Sequence, residues 1–280
     1  MPSLAHFQER RREFLGRLKS PALLFAGGYR ARATPFGDYT YRADSNFLFF
    51  FADPEPGSAA FFDPDDGTVT LFLPERTLES TLWEGEIPGF PEMQEATGVD
   101  SVFGIARLEE RIPQLAGDRR VLSVGVFDSR TTSRARQITG LPLDPYSPEH
   151  IAPAELVDAL AELRAVKRPE EIEEIRRAGD ITRETFFALL HGTRPGVTEE
   201  ELSGTVWGTY ARNGAVPGYP VILSVRGEIL HNLHHRGILR EGDLLLVDTG
   251  AEVPSGYGAD VTRAWPANGR FTPEQRAVHE

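Results

Sequence analysis

The sequence predicts a mixed α/β (α+β) chain in two parts, an α/β half over residues 1–150 and an α+β half over residues 151–280. Two observations carry that reading. Through the first half, short apolar runs alternate with turn residues and a few helical periodicities, the pattern of strands interleaved with helices. After Pro145-Tyr146-Ser147-Pro148 the texture changes to longer amphipathic helices followed by strands.

In the first half, helical spacing covers residues 4–18 and 106–115. Phe47-Leu48-Phe49-Phe50-Phe51, Ala59-Ala60-Phe61-Phe62 and Val69-Thr70-Leu71-Phe72-Leu73 read as strands, with residues 121–126 as a further short one. Pro54-Glu55-Pro56-Gly57 and Asp63-Pro64-Asp65-Asp66-Gly67 are the turns between them. In the second half, Leu156, Val157, Leu160 and Leu163 form one apolar face of a helix that starts near Ala154. Arg168-Pro169-Glu170-Glu171 opens the next helix, with proline in its first turn and acids at the positive end of its dipole. That helix runs to about residue 191 before Pro195-Gly196 stops it, and Thr198-Glu199-Glu200-Glu201 opens a third through a capping box. Residues 219–225, 243–249 and 258–264 read as strands. Thr272-Pro273-Glu274-Gln275 then begins one more helix, which breaks off after about two turns, so the domain is expected to continue beyond Glu280.

Composition narrows the function classes. At 40% hydrophobic and 26% charged residues, the chain has the balance of a globular protein. No apolar run approaches the roughly 20 residues of a bilayer span, so no membrane partner is expected. A net charge of −12 argues against nucleic acid, which calls for a basic face. The absence of cysteine excludes disulfides and thiolate chemistry. Near the start, Gln8-Glu9-Arg10-Arg11-Arg12-Glu13 is charged where a secretory signal would be apolar, so the cytoplasm is the expected compartment.

The chemistry concentrates near the end. An apolar strand runs into Asp248, and Asp260 follows after the turn residues Val253-Pro254-Ser255-Gly256, so the two flanking strands are expected to pair as an antiparallel hairpin. That pairing brings both aspartates together, and two carboxylates side by side repel unless a proton or a cation compensates them. Hard divalent cations suit such oxygen donors, and two of them can share one bridging carboxylate. Spacing alone leaves a structural alternative open and favours it: one aspartate caps a turn and the other pairs with Arg263. Ile229-Leu230-His231-Asn232-Leu233-His234-His235 offers a histidine that could donate a proton or clamp a substrate. His231-x-x-His234 carries no internal glutamate of the kind a zinc-binding HExxH helix has.

The order of these motifs is specific. His231, then Gly242-Asp243-Leu244-x-Leu246-Val247-Asp248-x-Gly250-Ala251-Glu252, then Gly256-Tyr257-x-x-Asp260-Val261-Thr262-Arg263 and Pro266-x-Asn268-Gly269-x-Phe271-Thr272 resembles the aminopeptidase P and prolidase family. Glu162-Leu163-Arg164-x-Val166-Lys167-x-Pro169-Glu170-Glu171-Ile172 is similar to the family's entry into its catalytic domain, and Asp38-Tyr39-x-Tyr41-Arg42-x-x-Ser45-x-Phe47 to the aminopeptidase P N-terminal domain. The resemblance implies an N-terminal aminopeptidase P-like α/β domain over 1–150 and an incomplete pita-bread catalytic domain over 151–280. It implies that Asp248 binds one metal, that Asp260 bridges two, that His231 hydrogen-bonds substrate near the scissile bond, and that Tyr219, before Pro220, lines the substrate pocket. The implied cofactors are two divalent ions, Mn²⁺ in most members with Co²⁺ or Zn²⁺ as variants. The implied substrates are peptides with proline at the second position, cleaved before that proline, and the implied assembly is a homo-oligomer.

Three departures from the family pattern qualify these expectations. The resemblance calls for one further histidine and two glutamates in a segment that would follow Glu280, so the 280-residue chain by itself is expected to be inactive. The Asp248-to-Asp260 spacing is one residue longer than in many members, with the extra residue in the Pro254-Ser255-Gly256 turn. Gly227 and Asn232 stand where asparagine and tyrosine are expected, which bears on substrate preference. A prolidase acting on Xaa–Pro dipeptides is the alternative within the family. A non-catalytic pita-bread relative serving as a binding module is the alternative outside catalysis, and retention of both aspartates argues against it.

Overall fold

The computed structural model describes residues 2–33, 38–86 and 88–280. Its contacts divide into one unit of residues 2–167 and a second of residues 168–280.

The first unit runs α1 (Leu4–Leu15), β1 (Ala22–Phe25), α2 (Ser45–Phe50), β2 (Ala59–Asp63), β3 (Thr68–Leu73), α3 (Leu78–Glu84), α4 (Phe90–Thr97), β4 (Ser101–Gly104), a single 3₁₀ turn (Ile105–Arg107), α5 (Leu108–Ala116), β5 (Leu122–Ser123), α6 (Ser129–Thr139) and α7 (Ala154–Ala165). The strands form one sheet in the order β4-β3-β2-β1-β5, antiparallel at its centre and parallel at both edges. Side chains alternate across it. Leu24, Phe62 and Leu71 enter a core with Phe14, Phe50 and Leu160, while Leu23, Phe61 and Phe72 enter another with Leu108, Ile112 and Ala135. Helices therefore cover both faces, as the interleaved pattern predicts. Helix α7 buries Leu156, Leu160 and Leu163 in the first of these cores, so the unit extends to Lys167, past the boundary expected at residue 150.

One expected strand is a helix. Phe47 to Phe50 lie within α2, because Asp44 caps it by accepting from the Asn46 N–H at 2.8 Å. Its far end is held by two buried arginines: Arg10 Nη1 donates to the Phe49 carbonyl at 2.8 Å and Arg11 Nη1 to the Phe50 carbonyl at 2.9 Å. Guanidinium groups there satisfy carbonyls that the helix leaves open and complement its dipole. An unbroken apolar run has no period, so it fits a buried helix as well as a strand.

The second unit runs α8 (Pro169–Gly192), α9 (Glu199–Arg212), β6 (Val216–Pro217), β7 (Ile222–Ser224), β8 (Leu244–Thr249), β9 (Ala251–Glu252), β10 (Val261–Pro266) and α10 (Pro273–His279). The predicted capping boxes form at Thr198–Glu201 and Thr272–Gln275. The central sheet is antiparallel in the order β10-β8-β7, and β6 pairs with β9 beside it. Only residues 222–224 of the expected strand 219–225 join the ladder; Pro220 has no N–H to contribute. On β8, Leu245, Val247 and Thr249 point inward, where Ala178, Ile181, Phe186, Val206 and Tyr210 of α8 and α9 complete the core. The alternation leaves Leu246 and Asp248 on the opposite, open face. Among the described residues, no helix is long and apolar enough to cross a membrane.

Candidate metal centre

The hairpin predicted from the turn at 253–256 is present. In the register of β8 and β10, Asp248 faces Thr262 and Thr249 faces Val261. Asp260 stands one residue before β10, at the parity of Thr262, so it shares the face that carries Asp248. One side chain joins them. Tyr219 Oη donates to Oδ1 of Asp248 at 2.6 Å and lies 2.9 Å from Oδ1 of Asp260, so two carboxylates converge on a single hydroxyl. Burial first, and then the two carboxylates, push the Tyr219 phenol well above its ordinary range, which keeps it protonated as their donor at neutral pH. The pair is less buried than two adjacent strands imply: Asp248 is half-buried and Asp260 exposed, so water moderates their repulsion.

Backbone geometry brings the carboxylates together. Gly250 follows β8 directly, and a Cβ there would lie 1.6 Å from the Ala259 carbonyl oxygen and 2.9 Å from the Asp260 nitrogen. Only glycine allows the chain before Asp260 to approach so closely. Ala259 N–H donates to the Ala251 carbonyl at 3.0 Å, and Gly218 N–H to the Gly250 carbonyl at 2.9 Å, drawing the Tyr219 segment to the same corner. Beneath it lies a polar network within the core. Tyr210 and Thr249, both fully buried, share a hydrogen bond at 3.0 Å, and Thr182 Oγ1 accepts from the Ala251 N–H at 2.9 Å. Buried groups satisfied in this way fix the end of β8 against α8 and α9.

His231 lies in the loop between β7 and β8, with an exposed side chain. Among the described residues, no hydrogen bond links it to Asp248, Asp260 or Tyr219, and no ion pair joins Arg263 to either aspartate. Arg263 Nη1 instead donates to the Thr262 carbonyl at 2.7 Å. The turn-cap and Arg263 alternative therefore loses its ion pair, while the carboxylate pair gains its geometry.

The donor set fits a divalent cation in kind. Two carboxylate oxygens converging on one point suit a hard ion, which takes oxygen ligands. Among the described residues, no group of three or more histidine, cysteine, aspartate or glutamate side chains assembles, so Asp248 and Asp260 could supply only part of a coordination shell.

Residues 7–123 match the model of the aminopeptidase P N-terminal domain, and residues 173–280 that of metallopeptidase family M24. The chain belongs to the aminopeptidase P family. It is 32% identical to the Xaa-Pro aminopeptidase of Escherichia coli strain K12, over 99% of this chain and 65% of that protein. It is 28% identical to the mouse Xaa-Pro aminopeptidase 3, over 86% of this chain and 49% of that one. Among solved structures, the low-pH form of E. coli aminopeptidase P superposes with a TM-score of 0.88 at 30% identity, covering all of this chain and 66% of the other. The zinc-substituted form of that enzyme in complex with product gives 0.87 at 30% identity, over 99% and 66%. The chain thus spans from about half to about two thirds of the length of these relatives.

In this aminopeptidase P family member the structure brings together three of the four residues singled out from sequence, Asp248, Asp260 and Tyr219, while His231 lies on the exposed loop between β7 and β8 with no hydrogen bond to them among the described residues. The sequence reading missed three supports. Gly250 was visible as part of a motif but not as a steric requirement. The pairing of Tyr210 with Thr249 joins a helix to a strand far along the chain, and nothing local marks it. Glu199 showed only as an acid in the first turn of a helix.

Proposed function

We propose that Asp248 and Asp260 are metal ligands of an aminopeptidase that cleaves the bond between an N-terminal residue and a following proline. The observation that carries this reading is the convergence of both carboxylates on the Tyr219 hydroxyl, in a chain whose relatives are named Xaa-Pro aminopeptidases. Divalent ions, Mn²⁺ in our reading, would supply Lewis acidity there, polarising a carbonyl and making hydroxide available at neutral pH. The residues of this chain hold and orient. Asp248 provides oxygens from the rigid end of β8, Asp260 from the residue just before β10, and Tyr219 keeps them facing one point. His231, on its exposed loop, donates a hydrogen bond to the bound peptide near the scissile bond. The substrates are peptides with proline second, and the assembly is a homo-oligomer in the cytoplasm.

Two carboxylates are too few for a stable dinuclear site. The 280-residue polypeptide alone therefore hydrolyses no Xaa–Pro bond with added Mn²⁺, and clear turnover would refute that statement. Mn²⁺ binding tests the ligand assignment separately. Weak binding to the wild type that is lost in both Asp248→Asn and Asp260→Asn supports it, and binding unchanged in either variant contradicts it.

A further inference from the structure

A buried carboxylate outside the site described above holds a loop by both of its oxygens. Glu199, in the first turn of α9, is 2% exposed and lies beneath the loop that carries His231. Its two oxygens take different ends of that loop. Oε1 accepts from the Val225 N–H at 2.8 Å, and Oε2 from the Gly237 N–H at 2.8 Å. The Glu199 N–H itself donates to the Gly237 carbonyl at 2.9 Å. A Cβ at Gly237 would lie 2.5 Å from Oε1 of Glu199, so a larger residue there would push against the carboxylate.

Ser224, 1% exposed, extends the arrangement toward the histidine. Its hydroxyl lies 3.0 Å from Glu199 Oε1, and it accepts from the Arg226 N–H at 2.9 Å and from Asn232 Nδ2 at 2.9 Å. With two donors pointing at it, the hydroxyl gives its own proton to the carboxylate. Asn232 follows His231 directly, and its Oδ1 accepts from the His234 N–H at 3.1 Å.

We propose that Glu199, acting with Ser224, is the positioning residue of the His231 loop: one buried carboxylate ties down both ends of residues 225–237 and, through Ser224 and Asn232, the turn beside the histidine. The proposal rests on the reading of His231 as a group that faces substrate. Charge-assisted bonds to backbone N–H groups are the strong kind, and a loop held at both ends presents its side chain in one place. The role calls for a carboxylate specifically. In Glu199→Gln, whichever position the amide nitrogen takes faces the N–H of Val225 or of Gly237, donor against donor, so one anchor fails.

Hydrogen exchange on the full 280-residue chain tests this. In Glu199→Gln, the amides of Val225 or Gly237 and of the loop between them should exchange at least about tenfold faster, with β8 and α9 at wild-type rates. The His231 ring resonance, expected as a single line in the wild type, should broaden or split. Glu199→Asp, one methylene short of spanning both ends, should behave in the same way. Ser224→Ala should speed exchange at Arg226 and free the Asn232 amide while leaving Gly237 protected, and it tests the idea even if the Glu199 variants fold poorly. His231→Ala should leave Val225 and Gly237 unchanged. Wild-type protection at both anchors in Glu199→Gln overturns the proposal, as does acceleration spread evenly over α9 and β8, or an unaltered His231 resonance. Unchanged exchange with Mn²⁺ binding intact removes this proposal alone. Loss of Mn²⁺ binding at the aspartates removes the peptidase reading and leaves the exchange pattern standing.

Discussion

Gly250→Ala isolates what brings the two aspartates together. The added methyl carbon would sit 1.6 Å from the Ala259 carbonyl oxygen, 2.3 Å from its carbon and 2.9 Å from the Asp260 nitrogen. All three are backbone atoms, so no side-chain rotation relieves the clash, and ordinary contact requires the two segments to separate by roughly 2 Å. That movement would take Asp260 Oδ1, now 2.9 Å from Tyr219 Oη, beyond hydrogen-bonding range. It would also break the 3.0 Å bond from Ala259 N–H to the Ala251 carbonyl. Overpacking costs about 1–3 kcal/mol and each of the two lost hydrogen bonds about 1 kcal/mol, so a destabilisation of roughly 3–5 kcal/mol is expected. Urea unfolding measures it, and Mn²⁺ titration of the same variant should show the aspartate site lost. Gly258→Ala is the control, because a Cβ there meets only the Ala251 carbonyl oxygen at 3.5 Å, an ordinary contact. A Gly250→Ala variant within about 0.5 kcal/mol of wild type and still binding Mn²⁺ would refute the argument.

Thr249→Val removes one partner of the buried Tyr210 hydroxyl, which also has Thr182 and Thr185 beside it, and should cost about 1 kcal/mol in urea unfolding, whereas a neutral result would show that the bond to Thr249 does not anchor β8. Tyr219→Phe takes away the donor shared by the two carboxylates and should lower stability by about 1 kcal/mol at pH 7; a stabilised variant would mean that the hydroxyl does not hold them. In the first unit, Arg119 donates to both oxygens of Asp63 at 2.7 Å and holds that carboxyl below the usual range. Because the folded value is depressed, the stabilisation is present above the unfolded pKa near 3.9 and is lost as pH falls through the folded value. Asp63→Asn should therefore cost about 2 kcal/mol at pH 7, with the gap to wild type closing below about pH 4. A gap that widens on acidification would contradict the pairing.

What the sequence made legible follows a physical line. The helix starts at Pro169, Thr198 and Thr272 were readable because a cap is a local event, written in three or four adjacent residues. The hairpin was readable because turn chemistry and two apolar runs fix its register. The Phe47–Phe50 helix was not, since the arginines that hold its end come from α1, about forty positions earlier. The same limit applies at the candidate metal centre. Asp248 and Asp260 could be named from their motif, but the hydroxyl that joins them comes from Tyr219 before β7, and spacing alone says nothing of that contact. Tyr219 was expected to line a substrate pocket, and its hydroxyl is hydrogen-bonded to both carboxylates. Glu199 was hidden most completely. An acid in the first turn of a helix has a sufficient local explanation, and its long-range partners are backbone groups that no side-chain pattern records.

We propose that Asp248 and Asp260 form one cation-binding corner. Paramagnetic broadening by Mn²⁺ in amide spectra of the 280-residue chain measures this most directly. The account predicts that substoichiometric Mn²⁺ first erases the signals of Thr249, Gly250, Ala259 and Val261, and that Asp248→Asn and Asp260→Asn each abolish the effect. Broadening centred elsewhere, or surviving in either variant, would contradict it.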